Sequence, residues 1–173
     1  RSCVCDGMGG HAAGEVASSI AVETIAKTAP QSADAARLAA AVEAANAAVI
    51  EAALNGLGKP GMGCTATCAY IENDTLAIAH VGDSRAYLLH EGTLIRVTRD
   101  HSYVEELVDA GEITADEARV HPNRSVITRA LGSDPAMYAD HFTLHIEEGD
   151  RLILCSDGLS SMKIGRASCR GRG

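Results

Sequence analysis

The spacing of apolar residues divides the chain into a helical first third and a strand-rich remainder. Residues 12–29 are rich in alanine and carry apolar side chains on more than one face, which predicts a buried helix stopped by Pro30. A second helix is predicted to begin after Ser32 or Asp34, either of which suits an N-cap, and to end at Leu54. Its apolar positions recur at helical spacing: Leu38, Val42, Ala45 and Val49.

Short apolar runs separated by tight turns follow a glycine-rich loop. They predict strands over residues 63–71, 76–81, 85–90, 93–98, 126–131, 138–146 and 151–156. Two short helices are predicted over residues 102–110 and 114–119, the second opening with a Thr-x-x-Glu capping box. Helices that precede a run of antiparallel strands indicate sheets packed against segregated helices, so the predicted fold class is α+β.

Composition and charge restrict the partners that the chain is expected to bind. Its 173 residues, 46% of them hydrophobic, suit one globular domain. A formal net charge of -8 argues against nucleic acid and anionic membranes as partners, and no apolar run is long enough to span a bilayer. We therefore expect a monomeric domain whose own residues make no membrane contact.

The cysteine usage is unlike that of small secreted domains. Six cysteines in this length are too sparse for a disulfide scaffold. Cys64 and Cys68 share one face of a predicted strand, so we expect them to pack as small hydrophobic side chains. This usage favours a reducing, cytoplasmic setting and leaves open whether a longer parent protein is anchored in a membrane.

Both ends of the sequence look truncated. Cys3-Val4-Cys5 is typical of the end of a strand whose beginning is missing. The composition changes after Met162, and residues 163–173 carry four basic residues and no acidic one. We predict a partial domain over residues 3–162, followed by a non-native tail over residues 163–173.

Three apolar runs end in an aspartate next to a small residue. These aspartates are Asp6, Asp83 and Asp157. One Asp-Gly pair is usually only a turn, but three carboxylates that meet at one sheet edge repel one another unless a cation compensates their charge. Oxygen ligands without a neighbouring thiolate or imidazole pattern favour Mg²⁺ or Mn²⁺ over Zn²⁺.

The first aspartate begins a glycine-rich turn that leads into the first predicted helix. The turn reads Asp6-Gly7-Met8-Gly9-Gly10-His11, and its glycines allow the backbone to approach a ligand closely. The spacing matches neither a P-loop nor a dinucleotide-binding fingerprint, so nucleotide binding is not indicated.

Six motifs then occur in a recognisable order. They read VCDGMGGHAAGEVAS, GCTAT, AHVGDSRAYLL, TRDHSYVEELVDAGEI, HPNRSVITRALG and LILCSDGLS. Together, from about Val4 to Met162, they resemble the bacterial branch of the metal-dependent protein phosphatases, the PP2C or PPM family. The resemblance implies a four-layer α-β-β-α sandwich of two antiparallel sheets flanked by helices, incomplete in this chain.

The same resemblance implies a reaction and a set of site residues. The reaction is hydrolysis of phosphoserine and phosphothreonine in proteins by a water activated at a pair of Mn²⁺ or Mg²⁺ ions. Carried over by position, Asp6 bridges both ions, the Gly7 carbonyl binds one and Asp157 binds the other, which makes Asp6 and Asp157 the candidate catalytic residues. Asp83 corresponds to a ligand of a third, weaker ion, and residues 100–119 to a flap beside the site. The implied partners are phosphorylated proteins, the products of serine/threonine kinases.

Several features of the family have no counterpart in the chain. These are an N-terminal strand with a phosphate-binding arginine and an acidic residue, and a C-terminal Asp-Asn motif whose aspartate binds metal. Ser161 stands where many members have an aspartate, and Met8 stands where eukaryotic relatives have a histidine proposed as general acid. We therefore expect weak metal binding and slow turnover, with no assigned proton donor.

Two rival functions stay open on the sequence. One is a catalytically inactive phosphoprotein-binding or regulatory domain, which loss of metal-dependent hydrolysis would favour. The other is a SpoIIE-like regulatory phosphatase that acts on anti-sigma-factor antagonists, which differs in partner and not in chemistry.

The remaining polar residues of the motifs are expected to have structural roles. His11 is expected to be a solvated helix cap and His80 a packed, hydrogen-bonded side chain. His101 and His121 are expected to hold loop geometry. Arg85 is expected to pair with nearby carboxylates.

Overall fold

Two long helices form the first layer of the fold, as the apolar pattern predicts. Helix α1 covers His11–Thr28 and helix α2 covers Ala35–Leu54. Asp34 is the N-cap of α2, because its carboxylate accepts a hydrogen bond from the Arg37 amide at 3.0 Å. Of the two predicted caps, Asp34 is therefore the one used.

The strands form antiparallel sheets behind these helices. The structure, a computed structural model, describes residues 1–160, so Ser161, Met162 and the predicted tail lie outside the described residues. The strand bounds are β1 Ser2–Val4, β2 Gly7–Met8, β3 Gly63–Cys64, β4 Ala66–Glu72, β5 Thr75–Val81, β6 Arg85–His90, β7 Thr93–Arg96, β8 Asp140–His145 and β9 Arg151–Cys155. The largest sheet has the order β1-β4-β5-β8, another has the order β7-β6-β9, and β2 pairs with β3.

Two hydrophobic cores hold these layers together. The larger core lies between the helices and the four-stranded sheet and includes Leu38, Val42 and Val49 of α2, all fully buried. The smaller core lies between the two larger sheets and is built around Leu76 and Ile78 of β5. Because alternate residues of β5 face the two cores, the run is apolar on both faces. The α+β prediction is confirmed as stacked layers of helices, sheet and sheet.

The predicted strand over residues 126–131 is wrong. The segment makes only isolated bridges, Ile127 with Ser102 and Leu131 with Cys64. Its backbone groups bond to two different elements, so no continuous ladder forms. The predicted strand over residues 63–71 is also interrupted, at Thr65, between β3 and β4.

The predicted short helices form on one side of the sheets. Helix α3 covers Tyr103–Asp109 and α4 covers Ala115–Val120. In the capping box, the Glu117 amide donates to Thr114 Oγ1 at 3.1 Å, and the Thr114 hydroxyl donates to Glu117 Oε1 at 3.1 Å. A final helical turn, α5, covers Asp157–Ser160. None of the helices in the described part of the chain is long and apolar enough to cross a membrane.

The expectation that the cysteines serve only as packed hydrophobes is wrong for one pair. Cys3 of β1 lies directly opposite Cys68 of β4, with the Cα atoms 4.1 Å apart, and the two sulfurs are bonded. Cys64 and Cys68 are fully buried in the larger core, as predicted. The antiparallel register places Cys3 opposite Cys68, and spacing alone did not reveal that pairing.

Asn46 is a buried polar residue in the apolar face of α2. Its side chain is 1% exposed, donates to the Asp134 carbonyl at 2.8 Å and accepts from the Gly132 amide at 2.8 Å. These bonds attach the loop that leads into β8 to the helix layer.

Replacing Asn46 with Leu is expected to lower the free energy of unfolding by about 2–3 kcal/mol, because two backbone groups lose their partners. Urea denaturation measures this change. Ala47→Leu at the neighbouring exposed position is the matched control and is expected to change stability by less than about 0.5 kcal/mol. Equal losses in the two variants would contradict the role given to Asn46.

Candidate metal centre

The three aspartates singled out by the sequence lie at the ends of strands, two in the four-stranded sheet and one in the three-stranded sheet. Asp6 follows β1, Asp83 follows β5, and Asp157 follows β9 and begins α5. Asp157 is close enough to Asp6 to raise its pKa, and Asp83 is close enough to feel the charges of both. The fold therefore brings the three carboxylates near one another.

The aspartates perturb one another's ionisation. Burial raises the pKa of Asp6 to about 6, and the hydrogen bond and negative charge of Asp157 add to the effect. Burial also raises the pKa of Asp83 to about 6, with contributions from the charges of Asp157 and Asp100. Partly buried carboxylates that lie near one another therefore make up the site. Carboxylate oxygens are the ligands that hard divalent cations such as Mn²⁺ or Mg²⁺ prefer.

The three carboxylates are not equally close together. Within residues 1–160, ligand atoms of three residues come within 4.8 Å of one another only at His90, Glu91 and Glu147, which lie at turns. Asp83 consequently stands apart from the Asp6 and Asp157 pair. This arrangement is compatible with the separate, weaker site that the resemblance implies for Asp83.

Thr65 fixes the backbone of Asp6. The Asp6 amide donates to Thr65 Oγ1 at 3.1 Å, and the Thr65 amide donates to the Asp6 carbonyl at 2.9 Å. The Thr65 hydroxyl also bonds to the Ser84 hydroxyl at 2.7 Å. Both hydroxyl side chains are buried, so this chain of bonds links the backbone at Asp6 to the residue after Asp83 without passing through solvent.

Gly82 allows the chain to turn sharply before Asp83. Its φ is 105°, and a Cβ there would lie 2.6 Å from Thr65 Cγ2. The Gly82 amide donates to His101 Nδ1 at 3.0 Å, and the His101 amide donates to the Gly82 carbonyl at 2.8 Å. His101 Nε2 then donates to Asp140 at 2.7 Å, which fixes the tautomer of the ring.

Arg85 does not neutralise the aspartates. Its guanidinium donates to both carboxylate oxygens of Asp100, at 2.9 and 2.7 Å, and to the Tyr87 hydroxyl at 3.0 Å. The predicted structural pairing of Arg85 is confirmed. Because the Arg85 guanidinium is paired with Asp100, it does not neutralise the carboxylates of the candidate centre.

The close packing of β2 against α1 requires a glycine at position 7. A Cβ on Gly7 would overlap the Gly14 carbonyl, because β2 runs against the first turns of α1. A Cβ on Gly14 would in turn lie 2.9 Å from the Gly7 carbonyl carbon. The two glycines therefore let α1 approach the turn that carries the Gly7 carbonyl.

His80 packs and hydrogen-bonds as the sequence suggested, whereas His11 is exposed but does not cap α1, whose N-cap is Gly10. His80 is buried, accepts from the Thr67 hydroxyl at 2.9 Å and donates to the Arg99 carbonyl at 2.9 Å. Burial, with the neighbouring His101 adding, lowers the pKa of His80 to about 4, so it is neutral near pH 7. His11 is solvent-exposed, and His121 accepts from the Asn123 amide in a loop.

A cleft of about 430 Å³ lies beside the glycine-rich turn. Met8 and Gly9 line one side, and Arg129 and Tyr138 line another. The three candidate aspartates do not line it. Met8, the residue at the expected histidine position, thus borders this cleft.

The sequence profile described as Protein phosphatase 2C matches residues 1–163. The chain belongs to the protein phosphatase 2C family. The chain is 44% identical over 163 residues to the serine/threonine protein phosphatase PstP of Mycobacterium tuberculosis. This match covers 91% of the chain and 31% of PstP. The chain is 39% identical over 166 residues to the serine/threonine phosphatase stp of Listeria welshimeri, covering 92% of the chain and 66% of that protein.

Solved structures of phosphatase 2C proteins share the fold. The crystal structure of the Mycobacterium tuberculosis phosphatase PstP/Ppp matches with a TM-score of 0.85 and 42% identity, covering 92% of this chain and 68% of that one. A PstP catalytic domain in complex with two manganese ions matches with a TM-score of 0.84 and 38% identity, covering 96% and 71% of the two chains. The expected sandwich fold and family are therefore confirmed.

Sequence reasoning missed the residues that support the aspartates. Thr65 and Ser84 were not singled out, although each is a polar residue inside or beside an apolar strand. That placement was the available signal, because a buried hydroxyl needs a hydrogen-bond partner. The partner itself depends on how the strands pair.

The raised pKa of Asp6 predicts a pH-dependent metal affinity. Below about pH 6, a proton on Asp6 competes with Mn²⁺, so the affinity is expected to fall about tenfold for each pH unit. Without metal, pH acts on the stability of the fold, and a higher pH destabilises it. The folded chain keeps a proton on Asp6 that the unfolded chain loses above the ordinary pKa of 3.8, so stability falls as pH rises from about 4 to about 6.

Calorimetric titration with Mn²⁺ at about pH 5 and about pH 7 measures the first effect. Thermal melting without metal over the same range measures the second. An affinity that does not change with pH would contradict the assignment of Asp6 as a ligand.

Proposed function

We propose that this chain carries the metal-dependent hydrolysis of phosphoserine and phosphothreonine in proteins. The observation that carries the proposal is the proximity of Asp6 and Asp157, two strand-end carboxylates close enough that Asp157 adds to the effect of burial in raising the pKa of Asp6. Membership of the phosphatase 2C family supports the reaction type. The chain spans 31% of PstP and 66% of the Listeria phosphatase, so the activity of the whole protein is part of the proposal.

Each site residue has a proposed role. Asp6 and Asp157 hold two Mn²⁺ or Mg²⁺ ions and are the residues on which catalysis depends, and the Gly7 carbonyl is a further ligand. Asp83 holds a third, weaker ion. Such ions lower the pKa of bound water and stabilise the charge that develops on a phosphoryl group. Thr65 positions Asp6, because it bonds to both backbone groups of that residue.

An inactive, phosphoprotein-binding role is the rival proposal, and it is not favoured. The similar proteins are named as serine/threonine phosphatases. A binding domain without turnover would also gain nothing from a carboxylate whose pKa is raised by burial and by the neighbouring Asp157.

Partners and location follow from the proposed chemistry. The substrates are proteins phosphorylated by serine/threonine kinases, and the chain acts as a monomer in the cytoplasm. Residues 3–162 are the partial catalytic domain, and residues 163–173 are a non-native tail. Size-exclusion chromatography coupled to light scattering checks the monomer, and independent sequencing of the source locus checks the tail.

Phosphate release from a phosphothreonine peptide measures the proposed activity. The chain is expected to release phosphate with Mn²⁺ and to stop when the metal is chelated. A phosphotyrosine peptide of the same sequence is the matched control and is expected to be a poor substrate. Equal rates with and without metal would contradict the proposal.

A further inference from the structure

The backbone reaches Asp83 through a glycine whose two polar groups both bond to His101. The Gly82 amide donates to His101 Nδ1 at 3.0 Å, and the Gly82 carbonyl accepts from the His101 amide at 2.8 Å. Gly82 has a φ of 105°, a conformation that residues with a side chain rarely adopt. His101 therefore holds the junction between β5 and a candidate metal ligand on both sides.

These two hydrogen bonds restrain both dihedral angles of Gly82. The amide belongs to the peptide group before Gly82, and the carbonyl belongs to the peptide group that joins Gly82 to Asp83. Because each peptide group is planar, holding both groups sets the φ and ψ angles between them. The direction in which the backbone enters Asp83 consequently depends on the position of His101.

His101 is itself held in one orientation. It is 2% exposed, its Nε2 donates to Asp140 at 2.7 Å, and its carbonyl accepts from the Thr128 amide at 3.0 Å. The other carboxylate oxygen of Asp140 accepts from Arg129 at 2.8 Å, so the ring cannot rotate without breaking a bond to a fixed partner. The neutral ring with its proton on Nε2 satisfies both Gly82 and Asp140.

The residue after Asp83 is fixed as well. Ser84 is fully buried, its hydroxyl bonds to the Thr65 hydroxyl at 2.7 Å, and its carbonyl accepts from the Thr67 hydroxyl at 3.3 Å. Asp83 is thus a half-buried residue between two neighbours that buried hydrogen bonds hold in place. A carboxylate whose backbone is already ordered loses less freedom when it binds a cation, which favours binding.

We propose that His101 is a positioning residue for Asp83, because its hold on Gly82 sets the direction of the Asp83 carboxylate and so the affinity of the divalent ion that Asp83 binds. The effect is selective, since Thr65 and not His101 bonds to the backbone of Asp6. Loss of the hold on Gly82 therefore weakens the Asp83 ion and leaves binding at Asp6 and Asp157 unchanged. The consequence for the metal rests on the proposed function, whereas the hold on Gly82 does not.

Asparagine and glutamine each replace one half of the histidine ring. The amide oxygen of asparagine lies where Nδ1 lies, so His101→Asn keeps an acceptor for the Gly82 amide and loses the bond to Asp140. The amide nitrogen of glutamine reaches as far as Nε2, so His101→Gln keeps the donor to Asp140 and loses the acceptor for Gly82. Each variant loses one buried hydrogen bond, so both are expected to unfold at similar urea concentrations.

Titration with Mn²⁺ separates positioning from stability. Asp83→Asn identifies the weaker binding step of the native chain as the step that this substitution removes. We expect His101→Gln to weaken that step about tenfold and His101→Asn to keep it within about twofold, with the stronger step unchanged in both. Equal weakening in the two variants, or native affinity in His101→Gln, would overturn the inference.

Hydrogen exchange of the Gly82 amide, followed by NMR without metal, measures the hold itself. We expect exchange in His101→Asn to be as slow as in the native chain. In His101→Gln we expect it to be about tenfold faster or more, because the amide loses its acceptor. The amide of Ala79, in the middle of β5, is the reference and is expected to exchange equally slowly in both variants. Equal Gly82 rates in the two variants would overturn the inference.

The two measurements also separate this inference from the proposed function. If the native chain shows no Mn²⁺-binding step that Asp83→Asn removes, the third ion of the proposed function is wrong. The exchange rates of Gly82 then decide the role of His101. Faster exchange confined to His101→Gln supports its hold on Gly82, and equal rates overturn it.

Discussion

An Asp6→Asn chain is expected to melt at a higher temperature than the native chain in the absence of metal, and to lose its response to Mn²⁺. The substitution keeps the size of the side chain and removes one of two neighbouring carboxylates that repel each other. Relief of about 1 kcal/mol of repulsion corresponds to a rise of about 2–4 °C in a chain of this length. Phosphate release is expected to fall by more than about a hundredfold, because a metal ligand is lost.

Asp116→Asn is the matched control for this prediction. The Asp116 side chain is almost fully exposed and forms an ion pair with Arg119 at 3.8 Å, so the substitution removes the same charge away from the site. Its melting temperature, Mn²⁺ response and phosphate release are expected to match the native chain. If the metal-free Asp6→Asn chain melts below the native one, Asp6 stabilises the fold by a contact. That result would count against a site in which neighbouring carboxylates repel each other until a metal binds.

Gly7→Ala is expected to have the largest effect on stability of the substitutions considered. The added Cβ overlaps the Gly14 carbonyl, so the backbone of β2 and the start of α1 must separate. Overlap between backbone groups is expected to cost about 3 kcal/mol. The same displacement moves the turn that follows Asp6, so Mn²⁺ affinity is expected to fall by about tenfold or more.

Gly158→Ala separates steric overlap from the general effect of adding a methyl group. The nearest atom to its added Cβ is Ser156 Oγ at 3.6 Å, an ordinary contact. Its free energy of unfolding is expected to change by less than about 0.5 kcal/mol. Urea denaturation of both variants decides the matter, and a Gly7→Ala loss no larger than that of Gly158→Ala would refute the packing role of Gly7.

Local chemistry was predictable where a residue's neighbours in sequence determine it. The side-chain caps at Asp34 and Thr114 formed as expected, because the amides that they satisfy lie three residues further along the chain. The aspartates were found at strand ends for a similar reason, since an apolar run followed by Asp and a small residue marks the point where a strand leaves the sheet.

Pairings between residues that are distant in the sequence could not be predicted from the sequence alone. The apolar run over residues 126–131 has the composition of a strand, but its backbone groups are divided between His101 and Cys64. The Cys3–Cys68 disulfide and the Thr65–Ser84 hydrogen bond likewise depend on strand register, which many similar apolar runs leave undetermined. The family resemblance supplied the candidate ligands, whereas the structure added the residues that hold them.

The central claim is that Asp6 and Asp157 together hold a divalent metal ion, and calorimetric titration with Mn²⁺ tests it most directly. The native chain and Asp116→Asn are expected to bind Mn²⁺ with equal affinity, and Asp157→Asn is expected to bind about a hundredfold more weakly. Native affinity in Asp157→Asn would contradict the account.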